Sequence, residues 1–133
     1  MTQSIPSQTV TAAVPDPRRR SRRYPDAGEV ARLLQPSYPV YCLRPHVFER
    51  AARTFVDGFP GTTLYAVKCN PHPAVLRALQ AGGVHAFDTA SLSEIARVAE
   101  TFDAAECFFM HPVKPRPAIA SAHRVYGVLH YVV

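Results

Sequence analysis

The sequence predicts an α/β fold, the N-terminal portion of a (β/α) TIM-type barrel with about four to five parallel strands and crossover helices. Apolar runs of strand type alternate with amphipathic helical patterns from residue 26 onward, and this alternation is typical of parallel sheets. Three successive runs end at Lys68, Asp88 and His111, which are 20 and 23 residues apart. With 133 residues the chain is too short for a closed eight-stranded barrel of about 250 residues.

Five helices are predicted from apolar spacing and from end signals. Proline at the first position and glycine at the end mark two of them, which begin at Pro45 and Pro73 and stop at Gly58 and Gly82. The first helix covers residues 26–34. The other two are indicated by helical spacing of Ile95, Val98, Ala99 and Phe102, and of Ile119, Ala122, His123 and Tyr126.

Five apolar runs predict the strands: residues 40–43, 62–67, 84–87, 107–110 and 128–133. Run 62–67 is the clearest, because it is rich in β-branched and aromatic residues. The last run reaches the C-terminus without a following helix, so we expect either a severed barrel or strands supplied by a partner. An open sheet edge of this kind also predicts poor solubility in isolation.

The net charge of +5 is concentrated at the start of the chain. Residues 1–24 carry five arginines and one acid, Asp16, whereas the remaining residues carry ten Lys/Arg and nine Asp/Glu. We predict a disordered basic arm over 1–24 and a folded part over 25–133. A tether to nucleic acid or to an anionic surface is the alternative for the arm, but nucleic acid is not an expected partner of the folded part.

The cysteine content indicates a reducing compartment. Cys42, Cys69 and Cys107 are odd in number and show no C-x-x-C spacing, and no apolar run approaches the 18 or so residues of a membrane span. The arginine tract is followed by Tyr24-Pro25-Asp26 rather than by the apolar segment of an export signal. We therefore expect a cytoplasmic protein without a membrane partner.

Polar residues at strand ends are the candidate site residues, because functional groups of parallel α/β folds gather there. Lys68 leaves the apolar run 62–67. Half-burial would disfavour its ammonium form, which suits an imine-forming amine, although position alone favours a lysine that only extends its ammonium to solvent. Asp88 would pair with such a lysine or begin the following helix. These patterns alone indicate a barrel-type domain with a site at Lys68.

Three segments show a family resemblance. Residues 65–70 read Tyr-Ala-Val-Lys-Cys-Asn, residues 87–95 contain Phe-Asp-Thr-Ala-Ser and then Glu-Ile, and residues 111–114 read His-Pro-Val-Lys. In order and spacing they resemble the pyridoxal-phosphate-dependent ornithine/diaminopimelate/arginine decarboxylases, whose barrel is like that of alanine racemase. The resemblance covers roughly residues 38–133, about the first third of a family member.

The resemblance implies roles for individual residues. Lys68 matches the lysine that forms the Schiff base with pyridoxal phosphate, and Ala66 and Asp88 match positions beside the cofactor and the substrate amine. Glu94 matches an acid at the border of the site, although Ser91-x-x-Glu94 is also a capping box. His111 departs from the usual asparagine and is not a predicted site residue. Lys114 is expected to be a loop or interface charge.

The implied activity is decarboxylation of an amino acid. Cysteine and asparagine after Lys68 look most like ornithine decarboxylases, which make putrescine for polyamine biosynthesis. A diaminopimelate or other basic amino-acid decarboxylase is the alternative within the family. A non-catalytic truncated homologue that regulates a partner, or an unrelated binding domain, is the alternative outside it. The resemblance also implies a homodimer for a full-length member, with the phosphate, ring-nitrogen and substrate-binding parts beyond Val133. We therefore expect this chain to be a fragment that is inactive alone.

Overall fold

A computed structural model describes residues 23–133. The predicted basic arm lies, except for its last two residues, outside the described residues. The described part of the chain divides into two compact units, residues 23–42 and 43–133. The second unit carries the sheet.

The first unit contains helix α1, Ala27–Leu34. The carboxylate of Asp26 accepts a hydrogen bond from the backbone N–H of Glu29 at 2.8 Å, which satisfies one of the free amides of the first turn. Glu29 and Arg32 form an exposed ion pair at 2.7 Å. The helix ends at Gln35, whose φ of 40° is left-handed. The predicted helix is thus confirmed with its cap.

The strand predicted over residues 40–43 is wrong. This segment has no regular structure, and Tyr41 is 98% exposed. A strand exists only where a neighbouring strand pairs with its backbone, and no strand of the described chain pairs with these residues. An apolar run favours a strand, but a strand forms only when a neighbouring strand pairs with it, and the sequence pattern does not show whether one does.

The second unit alternates helices and strands. Its elements in chain order are α2 (Pro45–Gly58), β1 (Leu64–Ala66), a 3-10 turn (Val67–Cys69), α3 (Pro73–Ala81), β2 (Ala86–Thr89), α4 (Leu92–Thr101), β3 (Glu106–Phe109), α5 (Arg116–Tyr126) and β4 (His130–Tyr131). The four predicted helices of this unit are confirmed. β1 and β4 are shorter than predicted, whereas β2 and β3 have the predicted length of four residues. β2 begins two residues later than predicted, so that Asp88 lies inside the strand, and β3 begins one residue earlier.

All four strands are parallel and lie in the order β1-β2-β3-β4. The α/β class, the crossover helices and the lower of the two predicted strand numbers are therefore confirmed. Because the strands are parallel, the turns that follow them all lie at one edge, called here the carboxyl edge. The helix-to-strand connections lie at the opposite edge.

Side-chain alternation separates the two faces of the sheet. One in-register line consists of Tyr65, Phe87 and Cys107, and it packs against helix residues in the larger core cluster. Phe87 is fully buried and stacks on Phe102 with ring centroids 5.4 Å apart. This face holds the core of the unit.

The opposite face carries a second in-register line, called here the inner row. It consists of Ala66, Asp88, Phe108 and His130. Neither core cluster contains a residue of this row. The inner row is therefore the face of the sheet on which predicted site residues are accessible.

Gly82 sets the close approach of α2 and α3. A Cβ at this position would lie 2.6 Å from the Cβ of Ala52 and would also overlap the carbonyl oxygen of Glu49. Only glycine fits between the two helices at this point. The glycine that the sequence marks as a helix end therefore also has a packing role.

Candidate cofactor-binding site

Lys68 lies in the 3-10 turn at the carboxyl edge, directly after β1. Val67 takes the buried place in this turn and is 0% exposed, whereas the Lys68 side chain is exposed. The expected half-burial of Lys68 is thus wrong for the described chain. The reason is local: β1 ends at Ala66, and the turn that follows directs one residue inward and the next to solvent.

The structure brings Ala66 and Asp88 together. They are partners in the register of β1 and β2, so their backbones lie about 4.8 Å apart, and both side chains are half-buried. The turn that carries Lys68 packs against β2. No ion pair joins Lys68 and Asp88, and neither side chain has a hydrogen-bond partner within residues 23–133.

Glu94 caps helix α4. Its backbone N–H donates to Oγ of Ser91 at 3.3 Å, and its Oε2 accepts a hydrogen bond from the backbone N–H of Ala90 at 2.9 Å. The capping alternative is therefore present, with Ala90 rather than Ser91 as the backbone donor. The capped segment follows Asp88 by two residues, so Glu94 stays at the carboxyl edge. Its contact with a cofactor remains a prediction.

The segment after Lys68 is organised by two residues that the sequence reasoning missed. Oδ1 of Asn70 accepts from the backbone N–H of His72 at 3.1 Å, and Nδ1 of His72 accepts from the backbone N–H of Ala74 at 3.1 Å. His72 thereby caps α3, ahead of Pro73. The available signal was the Asn-Pro-His-Pro sequence, which places a side-chain acceptor directly before a helix-starting proline.

The segment 111–114 is also stabilised by hydrogen bonds between its own residues. Nδ1 of His111 accepts from the backbone N–H of Val113 at 3.1 Å, and Nζ of Lys114 donates to the carbonyl oxygen of His111 at 2.6 Å. The same Nζ donates to the carbonyl oxygen of Val132 at 2.6 Å. Lys114, predicted as a loop or interface charge, is thus a half-buried loop residue whose ammonium tethers two backbone carbonyl groups.

The far end of the inner row forms a polar and aromatic cluster. Nε2 of His130 lies 2.7 Å from Oε1 of Glu106, and the His130 ring stacks on Phe108 with centroids 4.2 Å apart. The sequence offered no signal for this cluster, because its members come from two strands whose register is decided by folding. It lies on the same face as Asp88.

Burial controls the titration of three groups near the sheet. It raises the pKa of Tyr65, the neighbouring Cys69 raises it further, and a hydrogen bond with the backbone of Asn70 acts in the opposite direction. Burial raises the pKa of the Cys107 thiol from 9.0 to about 11, so this cysteine is a neutral packing residue at physiological pH. Burial also raises the pKa of Tyr131.

Two kinds of site find no support in residues 23–133. No three His, Cys, Asp or Glu side chains are grouped so that they would hold a metal ion. No helix in this range combines the length and apolarity that crossing a membrane requires.

The donor set suits one end of pyridoxal phosphate. A primary amine at Lys68 matches its aldehyde, and the small Ala66 lies beside Asp88 in the strand register. The phosphate end would need backbone amides, and the glycines of the second unit all lie in helix-to-strand connections, at the edge opposite Lys68: Gly58, Gly61, Gly82, Gly83 and Gly127. Residues 43–133 therefore fit the aldehyde end of the cofactor and contain no glycine-rich phosphate loop at that edge.

A protein-family model described as pyridoxal-dependent decarboxylase, pyridoxal binding domain, matches residues 46–132. The chain belongs to this family. The match begins in α2 and ends one residue after β4, so it covers every strand and the turn that holds Lys68. Pyridoxal phosphate is accordingly the cofactor of the domain, as the resemblance predicted. No curated protein and no solved structure gives a significant match.

Proposed function

We propose that the protein acts as a decarboxylase of the ornithine type and that Lys68 carries its pyridoxal phosphate. Lys68 is assigned because the two lysines of the chain differ in whether Nζ is free to react. The chain contains only Lys68 and Lys114. A lysine that attaches an aldehyde needs a free, approachable Nζ.

The two lysines differ sharply in this respect. Nζ of Lys114 donates to two carbonyl oxygens at 2.6 Å and lies 5.6 Å from the centroid of the Phe109 ring. The Lys68 side chain is exposed and makes no hydrogen bond within the described chain. Attachment at Lys114 would break two charge-assisted hydrogen bonds, whereas attachment at Lys68 breaks none.

The proposed roles follow from these positions. When bound, pyridoxal phosphate supplies an electron sink for the charge that remains on the substrate α-carbon after carbon dioxide leaves. Lys68 would hold the cofactor through Nζ at its aldehyde, and the substrate α-amine would compete with Nζ for that aldehyde. Asp88 makes no ion pair with Lys68 in the described chain; its carboxylate lies on the inner row, where it would pair with the ammonium of the substrate. Ala66 keeps the adjacent space open.

The ornithine type is supported by sequence resemblance, namely Cys69 and Asn70 after the lysine and Phe-Asp-Thr-Ala-Ser over residues 87–91. Diaminopimelate and other basic amino acids are the alternative substrates. Homodimerisation is proposed on the same resemblance. A non-catalytic role as a binding partner is a second candidate function. It is favoured because every glycine of the second unit lies away from the carboxyl edge, so that residues 43–133 contain no glycine-rich phosphate loop there.

Borohydride trapping tests the cofactor lysine. We expect the chain incubated with pyridoxal phosphate and reduced to gain one phosphopyridoxyl group, located by peptide mass spectrometry at Lys68. Lys68→Met removes this modification, and the matched variant Lys114→Met retains it at residue 68. A modification at Lys114 or only at the N-terminal amine would refute the proposal.

The substrate class is tested by displacement. Because the resemblance places the substrate-binding parts beyond Val133, we expect ornithine, added to the cofactor-loaded full-length protein, to compete with Lys68 for the cofactor and to protect Lys68 from reduction. Diaminopimelate and lysine are the comparison ligands. Equal protection by all three amino acids would argue against the ornithine type. Release of carbon dioxide by the isolated 133-residue chain would show that it catalyses decarboxylation alone, against our expectation.

A further inference from the structure

Lys114 makes three contacts that join two βα units at the carboxyl edge. Its Nζ donates to the carbonyl oxygens of His111 and Val132, both at 2.6 Å. It also lies over the ring of Phe109, the last residue of β3, at 5.6 Å from the centroid. One ammonium therefore touches its own loop, the end of β3 and the end of β4.

β4 itself is held to β3 by side-chain contacts of His130 and Tyr131, whereas Val132, the residue after it, is joined to the rest of the described chain by two hydrogen bonds. β4 consists of two residues and pairs only with β3. Beyond it, the backbone N–H of Val132 donates to the carbonyl oxygen of Phe109 at 3.3 Å. The Lys114 hydrogen bond is shorter and charge-assisted, and such bonds are roughly twice as strong as neutral ones. Lys114 is thus the stronger of the two links to Val132.

The same ammonium holds the segment 111–114 against the sheet. The His111 side chain closes this segment through the Val113 amide, and Lys114 fastens the closed segment to Val132. Since β1 and β3 are two strands apart, their ends at the carboxyl edge lie about 10 Å apart, and the segment begins two residues after β3. That distance is within the span of a cofactor and its substrate.

We propose that Lys114 is a positioning residue, which holds the segment 111–114 across the end of β4 and so shapes the cofactor site without touching the cofactor. This inference rests on the proposed function only in placing the cofactor at Lys68. It assigns to Lys114 a role that excludes attachment of the aldehyde. Its charge is used by two carbonyl oxygens and an aromatic ring, so it is not a free cation for the phosphate either.

Two substitutions separate charge-assisted tethering from simple space filling. Lys114→Met keeps a long unbranched side chain but removes the charge and every donor. Lys114→Arg keeps the charge and supplies several N–H donors in a planar fork. Arg124→Met is the control, because Arg124 is an exposed cation of α5 that makes no hydrogen bond or ion pair within residues 23–133.

The first measurement is hydrogen exchange of the chain without cofactor. We expect Lys114→Met to raise the rate of amide exchange in residues 110–114 and 128–133 by about tenfold, because roughly one strong hydrogen bond is lost. The exchange rates in α2 and α3 should not change. Lys114→Arg restores most of the protection, and Arg124→Met behaves like the parent chain. Unchanged exchange in Lys114→Met overturns the inference, whether or not the cofactor binds.

The second measurement is titration with pyridoxal phosphate, followed by the absorbance of the Lys68-bound cofactor. We expect Lys114→Met to weaken binding by about three- to tenfold, with reduction still modifying Lys68, and Lys114→Arg to recover it. Equal affinity of Lys114→Met and the parent chain overturns the positioning role. If the parent chain itself does not attach the cofactor at Lys68, the proposed function fails, and hydrogen exchange alone then decides whether Lys114 is a tether.

Discussion

Ala66 and Asp88 are direct partners in the parallel pairing of β1 and β2, and both belong to the inner row. A methyl group therefore stands beside a carboxylate on the face opposite the core. A side chain larger than alanine at position 66 would project into the space next to Asp88. The small size of Ala66 therefore affects the space beside Asp88 and not the packing of the core.

Ala66→Leu is expected to lower the affinity for pyridoxal phosphate by about tenfold, because the added side chain fills the space beside Asp88. The stability should change little, by about 1 kcal/mol or less, since the inner row belongs to neither core cluster. Cofactor titration and thermal unfolding measure the two quantities. Leu64→Ala, on the same face and at the start of β1, is the control for altered strand packing. Unchanged affinity in Ala66→Leu would show that the cofactor does not use this face.

Gly82→Ala is expected to lower the free energy of unfolding by about 2–4 kcal/mol, which is the range for steric overlap in a packed region. The added Cβ would meet Ala52 and the backbone of Glu49 and would push α2 away from α3. Urea unfolding monitored by circular dichroism gives the value. Gly58→Ala is the matched control, because a Cβ there has no neighbour within 4 Å, and it should be neutral or stabilising by up to about 1 kcal/mol. Equal effects of the two substitutions would contradict the close approach of the helices.

Glu94→Gln and Glu94→Ala separate capping from a site role. Glutamine keeps an oxygen for the Ala90 amide, so stability should stay within about 0.5 kcal/mol of the parent chain, whereas alanine should cost about 1 kcal/mol. If Glu94 also borders the cofactor, as the family resemblance implies, Glu94→Gln weakens cofactor binding at unchanged stability. Thermal unfolding and cofactor titration are the measurements. Equal cofactor affinity of Glu94→Gln and the parent chain would leave capping as its only function.

Cys107 should react with alkylating reagents far more slowly than the exposed Cys42 and Cys69, because burial raises the pKa of its thiol to about 11. Mass spectrometry after timed alkylation at pH 8 measures the three rates, and unfolding in guanidinium should equalise them. The raised pKa also has a consequence for stability. Its contribution is complete below about pH 9, and it is lost as the pH rises through about 11. Cys107→Ala should lack this alkaline loss, and comparable alkylation rates for all three cysteines would contradict the burial of Cys107.

Helices were predictable because their signals are local. Proline and glycine set the ends of α2 and α3, and apolar spacing revealed α4 and α5. Strand limits were less predictable. β2 begins two residues later than its apolar run, which moves Asp88 from the end of the strand into it, because hydrogen bonding to β1 and β3 decides where a strand starts.

The candidate site likewise combines features that the sequence predicts with features that depend on the folded structure. The three motifs predict that Lys68 and Asp88 serve one chemistry, and the family match supports the cofactor that they imply. The exposure of Lys68 was not predictable, because it depends on a single turn after β1. The role of Lys114 was not predictable either, because the carbonyl oxygen of Val132 is 18 residues away in sequence.

By itself, the sequence determined the α/β class, the parallel arrangement, the family and its cofactor. Each of these depends on residue types at short spacing along one chain. Tertiary structure alone decided that residues 40–43 form no strand, that Ala66, Asp88, Phe108 and His130 share one row, and that one lysine is approachable while the other is tethered. These features depend on strand register and on hydrogen bonds between distant segments, which exist only after the backbone amides and carbonyls have found their partners.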